Sequence, residues 1–314
     1  MDRFAYILRR LLQAVPVVIG VTMLVFFMIH LVPGDPARTM LGVHATPKRV
    51  ALLHHEWGLD RSLPEQYKLF MQRLLHGNLG DSLFYHVTAW SLISGRLPVT
   101  LWLIAYGTVL SILIAVPLAT LAATRKNGLR DQIVRAVPLV GLGFPPFWLG
   151  IMLLLAFGLH LGRLFPVGGY GTGFTGHLNS MFLPALTVAL GIAPILIRSL
   201  RASLLQVLES DYVVTARSKG VSERRVLIRH ALRNRIISMV TVLGVNIGYL
   251  VGGTVIVEKV FAVPGIGLLM INAIFARDFP VVQGITLAYA VLVVMVYLTT
   301  DVLHAMLDPR VRFD

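Results

Sequence analysis

Six stretches of this chain are almost uninterrupted apolar runs, at about 11–31, 97–123, 134–159, 181–197, 236–257 and 281–306, with polar and charged segments between them. A helix that crosses hydrocarbon needs roughly 20 apolar residues, about 30 Å of rise. Only helices and closed barrels satisfy their backbone groups inside lipid, and runs of this length exceed a barrel strand. The pattern therefore predicts an all-α integral membrane protein with six transmembrane helices. Prolines fall inside several runs (Pro117, Pro145, Pro146, Pro184, Pro194). They predict kinks whose freed carbonyls are satisfied by neighbouring helices.

The polar segments have patterns of their own. Residues 32–96 form a long segment after the first run, opened by Pro-Gly-Asp-Pro at 33–36, a sharp stop for the preceding helix. Within it, Leu63, Tyr67, Phe70, Leu74 and Leu75 recur at helical spacing, which predicts a helix over 63–75. A second such segment, 162–180, contains VGGYGTGFTG and reads as a flexible loop. Arg3, Arg9 and Arg10 before the first run raise the possibility of a secretory signal. The run is longer than a signal's apolar region and no small-x-small cleavage site follows, so it reads as a retained span.

Composition agrees with the pattern: 56% of the 314 residues are hydrophobic and 14% charged, with a mean hydropathy of +0.77. The net charge of +13 acquires meaning from its placement. Six spans put both termini on one side, and eighteen of the Lys and Arg residues fall there, against ten spread over longer segments opposite. Basic residues gather on the cytoplasmic side. Both termini and the 198–235 segment are thus expected in the cytoplasm, with 32–96 outside, in a cell (inner) membrane. No basic patch is interleaved with stacking aromatics on a soluble module, so nucleic acid is not expected as a partner.

Several chemistries are absent from the sequence. There is no cysteine, hence no disulfide or thiolate chemistry. There is no G-x-x-x-x-G-K-S/T loop to cradle the phosphates of ATP. The span centres carry no Asp, Glu, Lys or Arg, whereas proton and ion pathways are marked by such residues. Arg198, Glu258 and Asp301 lie at span ends, where snorkelling or interface pairing accounts for them. His54 and His55 are adjacent, so on a helix they point about 100° apart and make poor joint metal ligands. No cofactor and no metal are expected.

Two features remain. Gly244, Gly248 and Gly252 recur every four residues in the fifth run, with Asn246 and Tyr249 on other faces. Such a stripe admits close helix approach, either inside one subunit or at a seam with a second subunit or a solute path. Residues 211–234, DYVVTARSKGVSERRVLIRHALRN, join two spans. Ser210 or Asp211 can cap a helix running to Lys219, Gly220 offers a left-handed exit, and Ser222 can cap a second helix from Glu223. Two short helices meeting at a glycine elbow make a shaped knob, more than positive-inside charge requires.

In these residues the chain resembles the B-type membrane subunit of the dipeptide/oligopeptide/nickel family of ATP-binding-cassette importers. RRLLQAVPVVIGVTMLVFFMIHLVPGDP, WGLDRSLPEQY, GNLGDSL, RLPVTLWL, LPALTVALG, the 211–234 segment, VEKVFAVPGIG, RDFPVVQG and LDPRVR follow one another in family order from end to end. The 211–234 segment is similar to the family's E-A-A coupling motif. Aligning Gly220 places Val214, Thr215 and Ala216 on the E-A-A positions, so the motif's glutamate is missing here, and the segment has the looser T-A-R-x-K-G form.

The resemblance implies a type I importer permease fold and a single permease domain over 1–314, with an external segment at 32–96 and a cytoplasmic coupling segment at 208–235. It implies that Thr215, Ala216, Arg217, Lys219, Gly220, Val221, Ser222, Glu223 and Arg224 meet a cytoplasmic ATPase that binds the ATP. Gly244, Asn246, Gly248, Tyr249 and Gly252 are candidates for helix packing or the translocation path. The implied partners are a homologous C-type permease, two ATP-binding subunits, an external binding protein, a short peptide as cargo, and membrane lipid. Nickel or another small solute is the alternative cargo. An ion-coupled secondary transporter is disfavoured by the charge-poor spans, and an intramembrane enzyme by the lack of a converging catalytic set.

Overall fold

A computed structural model of the chain describes residues 3–31, 34–82, 84–124, 126, 128–160 and 164–307. In order, the helices are α1 (Arg3–Leu31), α2 (Pro36–Leu41), α3 (Pro47–Trp57), α4 (Leu63–Leu75), α5 (Ala89–Thr124), α6 (Leu129–Leu142), α7 (Pro146–Leu153), α8 (Gly173–Leu208), α9 (Asp211–Ser218), α10 (Glu223–Arg225), α11 (Arg233–Val260), α12 (Ile266–Phe275) and α13 (Phe279–Leu307). π-helical turns follow α7 (Leu154–His160) and α10 (Val226–Leu232). Among the described residues the only β pairing is an isolated bridge between Asp81 and Thr88. The protein is an all-α, multi-pass membrane protein.

Among the described residues, five helical segments are long and apolar enough to cross a membrane: Arg9–Leu31, Ala89–Thr124, Phe182–Leu208, Thr241–Val260 and Phe279–Leu303. The remaining expected span, 134–159, is broken. α6 ends at Leu142 and α7 begins at Pro146, leaving a shorter apolar piece, Pro146–His160. Pro145 stands before the new helix with φ −59° and ψ 141°, an extended conformation. Residues before a proline are pushed out of the α region, and two consecutive prolines remove two backbone donors. By contrast α8 runs unbroken through Pro184 and Pro194.

The described residues divide into two compact units, one within 3–100 and 264–294, the other within 101–263 and 295–307. In the first, the 63–75 helix forms where the spacing places it, opened by a Ser62–Glu65 capping box. It is tied to α1 by polar contacts: His30 Nε2 donates to Gln66 Oε1 at 2.9 Å, and Thr22 Oγ1 and Tyr67 Oη are 2.9 Å apart. Gln66 is buried, and its amide nitrogen donates to the carbonyls of Leu59 and Arg61, so every polar atom of the side chain has a partner. Asp35 caps α2, accepting from Ala37 N–H at 2.9 Å and from His54 Nε2 at 2.8 Å. His54 is thus engaged with Asp35, while His55 Nδ1 lies 3.7 Å from Asp60. α12 and α13 close this unit: Ile266, Leu269, Ala273, Val281 and Ile285 form a buried core with Ala89 and Ile93 of α5.

In the second unit, the core is built on α8. Ile192, Ala193, Leu196, Leu200 and Leu204 pack with Ala115, Ala119 and Ala123 of α5 and with Met239 and Leu243 of α11. The glycine-rich 162–180 segment, where described, is a loop only as far as Thr172, because α8 begins at Gly173. Gly169 N–H donates to Phe261 O at 3.1 Å, and Tyr170 stacks on His177 with centroids 3.9 Å apart. At Gly168 a Cβ would drive into the carbonyl of Phe261, so the glycine is there for close backbone approach.

Candidate functional site

The 208–235 segment is an elbow anchored in the second unit's core. α8 ends at Leu208, and Ser210 takes the extended N-cap conformation before α9 (φ −79°, ψ 150°), its hydroxyl donating to Val207 O at 2.5 Å. α9 stops at Ser218. Gly220 follows at φ +77°, and the turn closes with Gly220 N–H to Arg217 O (2.9 Å) and Val221 N–H to Ala216 O (3.1 Å). The left-handed exit and the extended N-cap positions at Ser210 and Ser222 fall where the sequence places them, but neither serine side chain makes a capping hydrogen bond to its helix. The second helix is shorter than expected: after Ser222 only Glu223–Arg225 are α-helical, and the chain widens into the 226–232 π turn before α11. A π turn fits an extra residue into a helix, which apolar periodicity does not reveal.

Two valines hold the elbow down. Val213 and Val226 are fully buried among Leu204, Val207 and Ala231, and Val221 packs against the same cluster. The outer face is exposed. Thr215, Arg217, Lys219, Gly220, Ser222, Glu223 and Arg224 face solvent, and Ala216 and Val221 are half-buried. Three of these side chains are committed within the segment. Thr215 Oγ1 donates back to Asp211 O at 2.9 Å. Arg217 and Glu223 form a two-bond ion pair, Nε to Oε1 at 2.7 Å and Nη2 to Oε2 at 3.1 Å, and Arg217 Nη1 reaches Leu208 O at 3.3 Å. Tyr212, Val214 and Ile228 are large apolar residues exposed on the same segment. The motif alignment placed Val214 on the first E-A-A position but gave none of the three a contact role, although Tyr212, Val213 and Val214 are adjacent apolar residues in a solvated, charged helix.

The glycine stripe of α11 separates into two roles. A Cβ at Gly244 would fall inside the side chain of Thr300 on α13, and one at Gly248 would lie 2.8 Å from Tyr297 Oη, so both admit α13. Gly252 has nothing within 4 Å of that position. Asn246 and Tyr249 line a cavity of about 390 Å³ together with Pro146 of α7 and Thr187, Gly191 and Ile195 of α8. Asn246 Nδ2 donates to Val242 O at 2.6 Å, and Tyr249 is 78% exposed. No lining residue of this cavity is ionisable below the tyrosine range, and its surface is mostly apolar. Among the described residues no three His, Cys, Asp or Glu come together as metal ligands.

Long apolar helices, one broken span lining a cavity, and an exposed elbow seated in the core fit the transmembrane subunit of a transporter. The likeness to known proteins makes this specific. Residues 115–313 match the family described as binding-protein-dependent transport system inner membrane component, and residues 1–104 match the N-terminal family of the same membrane components. The chain belongs to this family of importer permeases. The glutathione transport system permease protein GsiC of Salmonella choleraesuis (strain SC-B67) is 36% identical over 308 residues, covering 98% of this chain and 99% of that protein. A putative peptide transport system permease protein of Brucella abortus (strain 2308) is 39% identical over 313 residues, 99% of each chain. An inward-facing structure of the MetNI methionine ABC transporter superposes with a TM-score of 0.55 at 15% identity, over 69% of this chain and 96% of that one. The fold is that of a type I importer permease.

Proposed function

We propose that this permease forms half of an import path for short peptides, driven by ATP that separate subunits bind and hydrolyse. The observation that carries this reading is the pairing, within one compact unit, of an exposed elbow and a neutral cavity. Val213 and Val226 root the elbow in the α8 core, and α8 itself supplies Thr187, Gly191 and Ile195 to the cavity wall. A push on the elbow therefore acts on the helix that shapes the path, which is how a domain shift elsewhere becomes a change of access. In this reading 208–235 is the cytoplasmic coupling segment, both termini are cytoplasmic, and 32–96 faces outward toward an external binding protein. The second half of the path comes from a homologous permease, and two ATP-binding subunits dock on the elbows of the pair.

Peptide is favoured over nickel by the cavity lining. A divalent cation stripped of water needs carboxylate or imidazole ligands, and this wall offers an amide, a phenol, one aliphatic hydroxyl (Thr187) and two glycines among apolar side chains. Such a surface suits a peptide, whose amides hydrogen-bond to Asn246 and Tyr249 while its side chains contact Ile195 and Val257. The relatives named for peptide and glutathione transport point the same way. The test is reconstitution of the complete complex in liposomes with the external binding protein and labelled di- to pentapeptides. ATP-dependent peptide uptake that requires the binding protein is the expected result. Uptake of labelled Ni²⁺ with no peptide uptake would establish the alternative cargo, and uptake without any ATP-binding subunit would overturn the reading.

A further inference from the structure

Seven residues before the end of α8, Arg201 meets Asp131 of α6 in a fork: Nε to Oδ1 at 2.5 Å and Nη2 to Oδ2 at 2.6 Å. The carboxylate is fully buried and the arginine side chain 15% exposed, with Arg135 Nε 3.7 Å from the same Oδ1. The two partners are 70 positions apart in sequence. Burying a charge pair carries a desolvation penalty that its attraction often fails to offset, and apolar residues of similar size hold helices together equally well. What apolar contact lacks is direction. Two parallel charge-assisted bonds fix the register of one helix on another, whereas apolar faces slide and repack.

The position of this fork gives the register a use. α8 ends at Leu208, with two residues between it and α9, and Val213 of α9 is buried against Leu204 and Val207 of α8, so the elbow is seated on α8. α6 runs on through the 143–145 break into α7, whose Pro146 lines the cavity. α7 in turn rests on α8 and α11, with Gly150 closing on Thr187 and Phe261. The break uncouples α7 from a rigid α6 rod, and without a directional tie at Asp131 the α6–α7 arm could lag behind α8. We propose that Asp131 and Arg201 are a positioning pair that makes the α6–α7 wall of the cavity move with the coupling segment, so that nucleotide-driven displacement of the elbow changes access to the path. This rests on the coupling role proposed for 208–235.

This chain has no cysteine, so an introduced thiol is its only one and labelling can be read on this subunit separately from its partners. Tyr249→Cys places one thiol on the cavity wall, and its rate of reaction with N-ethylmaleimide is followed in the complete complex, with and without ATP and orthovanadate, alongside ATP hydrolysis per inserted complex. No cargo need be known. In the parent, nucleotide changes the labelling rate. Asp131→Asn and Arg201→Lys, which remove the charge or the fork, are expected to keep ATP hydrolysis and lose the nucleotide-dependent change. A pair that only supports folding would instead lower the amount of inserted complex and leave the change per complex intact, and that result overturns the proposal. So does restoration of the change by the apolar double replacement Asp131→Leu with Arg201→Met. The double replacement also carries the test if the single variants fail to insert, and failure of all three to insert marks the pair as a folding element and overturns it. Gly220→Val in the same background separates the two layers. If that variant retains the nucleotide-dependent change, the coupling role of the elbow fails. If it loses the change while the Asp131 and Arg201 variants keep it, only the role of the pair fails.

Discussion

Arg217 and Glu223 clasp each other across the Gly220 turn, with Nε 2.7 Å from Oε1 and Nη2 3.1 Å from Oε2. Both side chains are well exposed, at 40% and 71%. Exposed ion pairs contribute about 0.2–1 kcal/mol. Their value here is geometric: they hold the end of α9 against the start of α10 and so set the angle of the knob. Arg217→Ala and Glu223→Ala are each expected to leave thermal stability nearly unchanged and to lower ATP-driven uptake several-fold. The double variant should be no worse than the worse single one, because one contact is removed in all three. Additive losses in uptake would show that the two residues touch the ATPase independently.

At Gly220 the penalty lies in the backbone. Its φ of +77° is in the left-handed region, and a Cβ there would meet no atom within 4 Å. Substitutions should therefore rank by their tolerance of positive φ rather than by size. Asn, which visits this region, should couple best, Ala next, and Val worst, with about 1–2 kcal/mol of local strain for an ordinary L residue. Uptake per ATP hydrolysed by the three variants in proteoliposomes checks the order. Equal behaviour of Asn and Val would place the effect outside backbone conformation.

The three glycines of α11 should respond differently. Gly244→Val and Gly248→Val drive side-chain atoms into Thr300 and Tyr297, and overpacking of this kind costs about 1–3 kcal/mol. Gly252→Ala meets open space in this subunit, where Ala stabilises a helix by about 0.5–1 kcal/mol over Gly. Gly252→Leu then asks whether the open face is a seam. Loss of the homologous permease on co-purification, with the single subunit still stable to heat, would place Gly252 against the second subunit. Retained assembly would leave it facing lipid or the path.

The long spans, the 63–75 helix, the Gly220 exit and the Ser222 cap position were legible because each rests on local chemistry: apolar length, helical spacing, a residue able to take positive φ. The break at 143–145 was half legible. Pro145 and Pro146 announce a disturbance, but whether a proline bends a helix or ends it depends on packing, as uninterrupted α8 shows with Pro184 and Pro194. The Arg217–Glu223 clasp spans a turn and the Asp131–Arg201 fork spans 70 residues, so neither follows any helical period. The same holds for the cavity. Asn246 and Tyr249 stand out as polar residues in an apolar helix, yet Pro146 and Ile195 join them only through the fold.

Two aspartates of the other unit give opposite pH responses. Asp278 is buried before α13, and this burial pushes its carboxyl above the usual range, despite the Ser82 hydroxyl and the backbone N–H groups of Val281 and Phe84 that favour the charged form. Asp35 feels some burial as well, but the hydrogen bonds from His54 and from the N–H groups of Ala37 and Arg38, with the His54 charge, outweigh it and hold its carboxyl below 3.8. The raised group binds its proton more tightly folded than unfolded. Its contribution is therefore fully present below 3.8 and is lost as pH rises through its folded pKa. The depressed group contributes above 3.8, and that contribution is lost as pH falls through its folded pKa. Mild acidification from neutrality, still above 3.8, is expected to stabilise the wild-type unit through Asp278 while Asp35 keeps its full effect. Asp278→Asn should remove that gain and leave the loss at lower pH. Asp35→Asn should remove the loss and leave the gain. Thermal unfolding of the detergent-purified protein across this pH range reads both, and a wild-type protein whose stability falls monotonically on acidification from neutrality would contradict the buried carboxyl at Asp278.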